Sequence, residues 1–168
     1  MRESHGAAGA HRVASATEIV FRRSDMVRAG MTFDGAKLAL FIGDRLLVIE
    51  RDAYPDIPYP GHWDFPGGGR EGAETPETCA LRETEEEVGL LVQETDLVWR
   101  RSYARPNGVV WFFAAHLPAK RERDIRLGDE GQSWALVRPE WYIAHDLAVP
   151  HFADYLQAYL SHRGTIGA

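Results

Sequence analysis

Apolar residues run through the middle of this chain in strand-length stretches and recur at helical spacing in two places. Lys37–Ile42 and Arg45–Glu50 are apolar runs rich in β-branched and aliphatic residues, joined by Gly43-Asp44. A two-residue loop of that kind predicts a β-hairpin. Tyr54–Gly61 carries Pro55, Pro58 and Pro60. It is predicted to be irregular, because proline fixes φ and removes a donor. Trp63–Phe65 reads as a short extended piece leading into Pro66-Gly67-Gly68-Gly69. Leu97–Tyr103 and Val109–Leu117 read as strands about the turn Arg105-Pro106-Asn107-Gly108, and Ser133–Val137 as one more. Trp111, Phe112 and Phe113 alternate across their strand, so at least one faces the core.

The helical spacing begins at Thr75-Pro76, a hydroxyl cap followed by proline at the first helical position. It stops at Gly89, which can take the left-handed conformation after a last turn. At about 100° per residue, Leu81, Thr84 and Val88 share one arc, with Ala80 at its edge, and form the packing face. Glu83, Glu86 and Glu87 fall on another arc, and Glu85 points to solvent. Pro139 opens a short helix. A last helix from Pro150 to His162 puts Phe152, Tyr155, Leu156, Tyr159 and Leu160 on one stripe. Hairpins mixed with helical connections predict an α/β (α+β) domain, a mixed sheet with helices on both faces.

Composition changes this picture in two places. Residues 1–16 are small, Gly/Ala-rich and unpatterned, a disordered tail ahead of a domain over 17–168; His5 and His11 in that tail read as solvated. The net charge of −6 shows no dominant basic face, which argues against long nucleic acid or an anionic membrane as partner. One cysteine, Cys79, excludes an intrachain disulfide. With no 18-residue apolar run and no leader-like segment, the expected location is the cytoplasm. Homodimer formation is left open.

The glutamates are the candidate chemistry. Glu83–Glu86 and Glu83–Glu87 are like-charge pairs at i,i+3 and i,i+4, in the last turn, where the helix dipole disfavours anions. A solvated face is the ordinary reading of such a helix. Carboxylates gathered at the unfavourable end also make sense around a divalent cation, and oxygen-only ligands select Mg²⁺ or Mn²⁺. Gly67, Gly68 and Gly69 let backbone approach a phosphate closely. Arg51, ending the second hairpin strand, is a candidate phosphate contact or a surface arginine. Glu130, in Gly128-Asp129-Glu130-Gly131-Gln132, reads on its own as a solvated loop acid.

Residues 68–90 resemble the Nudix box, G-x5-E-x7-R-E-U-x-E-E-x-G-U, with U bulky and apolar. Gly68, Glu74, Arg82, Glu83, Glu86, Glu87, Gly89 and Leu90 are in register, and Thr84 stands where an apolar residue is usual. Trp63-Asp64-Phe65-Pro66-Gly67 is similar to the approach strand of MutT-type members. The resemblance implies a Nudix-type α/β/α sandwich. It also implies a metal-dependent pyrophosphohydrolase for a nucleoside diphosphate linked to some group X. Glu83, Glu86, Glu87 and the Gly67 carbonyl would ligate the metal. Arg82 and Glu74 would pair and orient Glu83, itself a second candidate base alongside Glu130. A small nucleotide is the implied partner, with a nucleoside triphosphate, oxidised or not, in the lead. Pro106, sixteen residues beyond the box, resembles a feature of ADP-ribose pyrophosphatases and keeps a nucleotide sugar as the alternative. A non-catalytic nucleotide-binding module is the second alternative. An isomerase of allylic diphosphates would need cysteine and histidine chemistry, and Cys79 reads as packing instead.

Overall fold

The computed structural model describes residues 32–166, so the expected tail over 1–16, with His5 and His11, and the start of the expected domain at 17–31 lie outside the described residues. A seven-stranded mixed sheet forms the middle layer. Its strands are β1 (Gly35–Ile42), β2 (Arg45–Glu50), β3 (Trp63–Asp64), β4 (Gly67–Gly69), β5 (Leu97–Arg105), β6 (Gly108–Leu117) and β7 (Ser133–Val137). The helices are α1 (Pro76–Val88), α2 (Pro139–Ala144) and α3 (Pro150–Ile166).

The register explains where the glycine run sits. β1 pairs in parallel with β6 along its whole length, from Gly35↔Val110 to Ile42↔Leu117. On its other edge it meets β2 only at Phe41↔Leu46 and Ile42↔Arg45, and β4 at Gly35↔Gly69 through Lys37↔Gly67. β2 in turn pairs β7 along Leu46–Glu50, and meets β3 at Ile49↔Asp64 and Glu50↔Trp63. Residues 63–69 are therefore a wedge between two hairpin strands that diverge. Leu38 N–H donates to the Pro66 carbonyl at 2.8 Å in the middle of that wedge. Gly67 has φ 131°, and a Cβ there would lie 2.1 Å from the Ala36 carbonyl oxygen. Only glycine permits the approach.

Alternation sorts the core into two layers. Leu38, Leu40, Ile42, Leu47, Trp111 and Phe113 pack under α1 through Cys79, Ala80 and Val88. Phe41, Leu46, Val48 and Phe112 pack on the opposite face against Tyr142 of α2 and Phe152, Tyr155, Leu156 and Tyr159 of α3. All three consecutive aromatics Trp111–Phe113 are buried, two under α1 and one under α3. Thr84 is fully buried on the packing arc, and its hydroxyl donates to the Ala80 carbonyl at 2.7 Å. The polar substitution in the box is thus satisfied without a cost in unpaired polar atoms. Several boundaries move from the sequence-based expectation, and β1 starts at Gly35 instead of Lys37. β5 and β6 extend through Arg105 and from Gly108, leaving Pro106 and Asn107 as the turn, and α3 continues past His162 to Ile166.

Candidate active site

α1 forms where its signals place it. Thr75 Oγ1 accepts from Thr78 N–H at 3.2 Å, Pro76 opens the helix, and Gly89 closes it at φ 67° with its N–H on the Glu85 carbonyl. Two carbonyls of the last turn before that cap are taken by a loop from far along the chain. Arg126 N–H donates to the Val88 carbonyl at 2.9 Å and Gly128 N–H to the Glu87 carbonyl at 2.8 Å. Carbonyls at a helix C-terminus have no intrahelical partner, and satisfying them this way anchors the loop that carries Asp129 and Glu130. Glu83, Glu86, Glu87, Gly67, Gly68, Gly69, Arg51 and Glu130, all named from sequence, line one cavity of about 680 Å³ together with Lys37, Glu71 and Asp129. Glu74, Arg82 and Gly89 stand outside its lining.

Arg82 holds the acidic wall together. Its Nη2 and Nε reach the two Glu74 oxygens at 2.9 and 3.1 Å, and Nη2 also donates to the Gly69 carbonyl at 3.1 Å. Its Nη1 lies 3.0 Å from Glu83 Oε1 and 2.9 Å from Glu86 Oε2. The Arg82 bonds hold the Glu74 carboxyl down at about 2, against the opposing effect of burial. Gly68 closes the contact from the other side: a Cβ there would lie 2.6 Å from the Glu83 carboxylate.

Glu87 faces a different set. Its Oε2 accepts from Gly67 N–H at 2.8 Å. Burial pushes its carboxyl up to about 7, offset in part by the Lys37 ammonium and that N–H. Burial also raises Glu83, opposed by Arg82. Lys37 extends from β1 and donates to the Gly67 carbonyl at 2.6 Å, the Phe65 carbonyl at 3.1 Å and Asp64 Oδ2 at 2.9 Å. Arg51 Nη1 donates to the same Asp64 oxygen at 2.8 Å, and Asp64 is buried. Lys37 and Asp64 were not named from sequence. A single lysine in the apolar run Ala36–Ile42 was the available signal for the first. For Asp64 the signal was only its place in the MutT-like segment Trp63–Gly67, which does not show that its partners come from β1 and from the residue just past β2.

The carboxylates do not close on a common point as expected. Among the described residues no three His, Cys, Asp or Glu side chains are placed to hold one ion together as they stand. The reason is local: Arg82 spans Glu83 and Glu86, Gly67 N–H holds Glu87, and the Gly67 carbonyl, an expected ligand, accepts from Lys37. The donor chemistry nonetheless suits a hard divalent cation, since the wall offers only carboxylate and carbonyl oxygens. Burial raises two of its carboxyls, Glu83 and Glu87, and a bound cation would oppose that shift. Cys79, near the same wall, is fully buried and its thiol is pushed up to about 12, mainly by burial. It packs, as expected.

Comparison with known proteins agrees with this architecture. The family model described as "NUDIX domain" matches residues 32–159. The nucleoside triphosphatase NudI of Escherichia coli O81 (strain ED1a) is 32% identical over 101 residues, 54% of this chain and 72% of that protein. NudI of Salmonella arizonae is 34% identical over the same shares. Among solved structures, an Ap4A hydrolase of C. elegans is similar at TM-score 0.62 with 21% identity, over 78% of this chain and 98% of that one. A NUDIX hydrolase from Nitrosomonas europaea is similar at TM-score 0.58 with 26% identity, over 80% and 74%. With a box in register, a sandwich of the same fold and a family match over most of its length, this chain belongs to the Nudix hydrolase family, whose members hydrolyse phosphorus-containing anhydrides and generally use divalent metal ions.

Proposed function

We propose that this chain hydrolyses a nucleoside triphosphate in the acidic cavity, using Mg²⁺ or Mn²⁺ held by Glu83, Glu86 and Glu87 with the Gly67 carbonyl. One observation carries the reading: a wall of carboxylates faces Lys37 and Arg51 within a single cavity, across a glycine run that admits close approach. The bound cation would neutralise phosphate oxygens and make the attacking water more acidic. Lys37 and Arg51 contact the phosphates, with Arg51 suited to a planar, bidentate grip. Gly68 and Gly69 leave room for the phosphate chain. Arg82, fixed by Glu74, orients Glu83. Glu130 accepts the proton of the attacking water as the new P–O bond forms and the bridging P–O bond breaks. Glu83 is the other candidate for that step.

The triphosphate is favoured because the relatives that match at 32–34% identity are named nucleoside triphosphatases. The buried, free Cys79 is in keeping with a cytoplasmic enzyme, and among the described residues no helix is long and apolar enough to cross a membrane. The test is release of phosphate and pyrophosphate over a panel of ordinary and oxidised nucleoside triphosphates and ADP-ribose, with Mg²⁺, Mn²⁺ or chelator. Triphosphates should turn over fastest and only with metal. A preference for ADP-ribose would replace the substrate class. Binding of nucleotides without turnover of any would make the protein a binding module.

A further inference from the structure

The loop that carries Glu130, residues 128–132, is a short bridge with one foot on α1 and the other just past β2. At the first foot Gly128 N–H donates to the Glu87 carbonyl at 2.8 Å. A Cβ on Gly128 would lie 2.2 Å from the Glu86 carbonyl oxygen, so only glycine sits that close to the helix end. At the second foot the β2–β7 ladder runs from Leu46↔Val137 to Glu50↔Ser133 and stops. Continued in the same register, Arg51 would stand opposite Gln132 and Asp52 opposite Gly131.

Side chains take over there from the ladder. Gln132 Nε2 donates to the Arg51 carbonyl at 2.8 Å, and Gly131 N–H donates to Asp52 Oδ2 at 3.3 Å. The two bonds join facing residues in a reciprocal way, each pairing one side chain with one backbone group. Gln132 N–H still reaches the Glu50 carbonyl at 2.8 Å. The strands are therefore closed as far as Glu50 by backbone, and beyond it by Gln132 and Asp52. Segments held by few bonds open locally at little cost. Arg51 is itself well fixed, with its N–H on the His62 carbonyl at 2.9 Å and its Nη1 on Asp64 at 2.8 Å. Each foot of the bridge thus stands on the backbone of a residue that lines the acidic cavity, Glu87 at one end and Arg51 at the other.

We propose that Gln132 and Asp52 are positioning residues for the hydrolysis, a clamp that fixes Glu130 over the acidic cavity relative to Arg51. The inference rests on the function proposed above, in which Glu130 takes the proton of the attacking water. Both residues stand outside the lining of the acidic cavity, and they act through the backbone on either side of Glu130. A misplacement of about 1 Å at a reacting group can cost about 10²-fold in rate. Two hydrogen bonds of ordinary strength, placed at the open end of a strand pair, are enough to decide such a displacement.

Amide hydrogen exchange and a cycle of rates on the full chain test this. Gln132→Ala and Asp52→Ala should each speed exchange of the amides of residues 129–131 by about tenfold, with those of α1 unchanged. Asp52→Asn keeps an acceptor for Gly131 N–H without the charge and should behave as the wild type. With the triphosphate that turns over fastest in the panel above, at saturating Mg²⁺, each alanine variant should lower kcat about tenfold and leave KM within about twofold. In a Glu130→Gln background the same substitutions should lower kcat no further, because no base is left to place. Equal fold losses in both backgrounds, no loss in either, or unaltered exchange would overturn the positioning role. Near-normal kcat in Glu130→Gln alone would instead remove the base proposed above, and the role of the pair with it. Exchange needs no substrate, so if no triphosphate turns over, the exchange result alone decides the clamp.

Discussion

Two charge clusters meet across the Gly67–Gly69 turn, and they are near mirror images. In one, a single guanidinium, Arg82, serves the carboxylates of Glu74, Glu83 and Glu86, all within 3.0 Å. In the other, a single carboxylate, Asp64, serves Lys37 and Arg51, both within 2.9 Å. The first has a surplus of negative charge and the second a surplus of positive charge. Buried surpluses are costly, and each is lowered by a ligand of opposite sign. A divalent cation suits the first and a phosphate suits the second, so a metal–phosphate substrate satisfies both together. Neither cluster alone explains the site.

The sharpest way to break the pair is at Glu83, which belongs to the acidic cluster and faces the cavity. Glu83→Gln should lower turnover by about 10⁴-fold at limiting Mg²⁺, at the top of the ~10²–10⁴-fold range typical of proton transfer alone. Raised Mg²⁺ should restore part of that loss. Glu130→Gln, on the loop anchored at the end of α1, should lower the rate by about 10²-fold at saturating Mg²⁺ without shifting metal affinity. Near-normal turnover at every metal concentration would make Glu130 a surface acid and return the proton to Glu83.

The support beneath the acidic cluster gives smaller effects. The Glu74 carboxyl ionises at about 2 instead of the usual 4.5 because Arg82 bonds to its anion. A lowered folded-state value stabilises the fold above pH 4.5, and that stability is lost as pH falls toward 2. Glu74→Gln should therefore cost on the order of 2 kcal/mol in urea unfolding at pH 7. The difference from wild type should shrink toward zero by about pH 2; a constant difference across that range would assign it to packing. Arg82→Lys keeps the charge but loses the two-pronged grip on Glu74. It should reduce turnover by about tenfold with the fold intact, and an unaltered rate would take Arg82 out of the site.

The two clusters differ also in how far the sequence discloses them. Helical periodicity places Glu83, Glu86 and Glu87 on one arc, and the resemblance to the Nudix box adds Arg82 on the same helix and Glu74 in the loop before it. The caps Thr75 and Gly89 were legible for the same reason. Lys37, Arg51 and Asp64 come from three strands, and only the divergence of β1 and β2 around residues 63–69 makes them neighbours. Pattern shows one face of one element well, but it does not show which strand edges open to receive a wedge. Glu130 is intermediate. Its glycine-rich loop was visible, whereas the bonds from Arg126 and Gly128 to the end of α1 that bring it to the cavity were not.

The most direct measurement on the acidic cluster is Mn²⁺ binding followed by electron paramagnetic resonance, where free Mn²⁺ gives a strong signal that is quenched on binding. Wild-type protein should quench the signal on titration, and the Glu83→Gln/Glu86→Gln double variant, folded by circular dichroism, should leave it near the level of free ion. Equal quenching by both proteins would show that these carboxylates do not hold the metal, and would contradict the assignment of the acidic wall as the cation site.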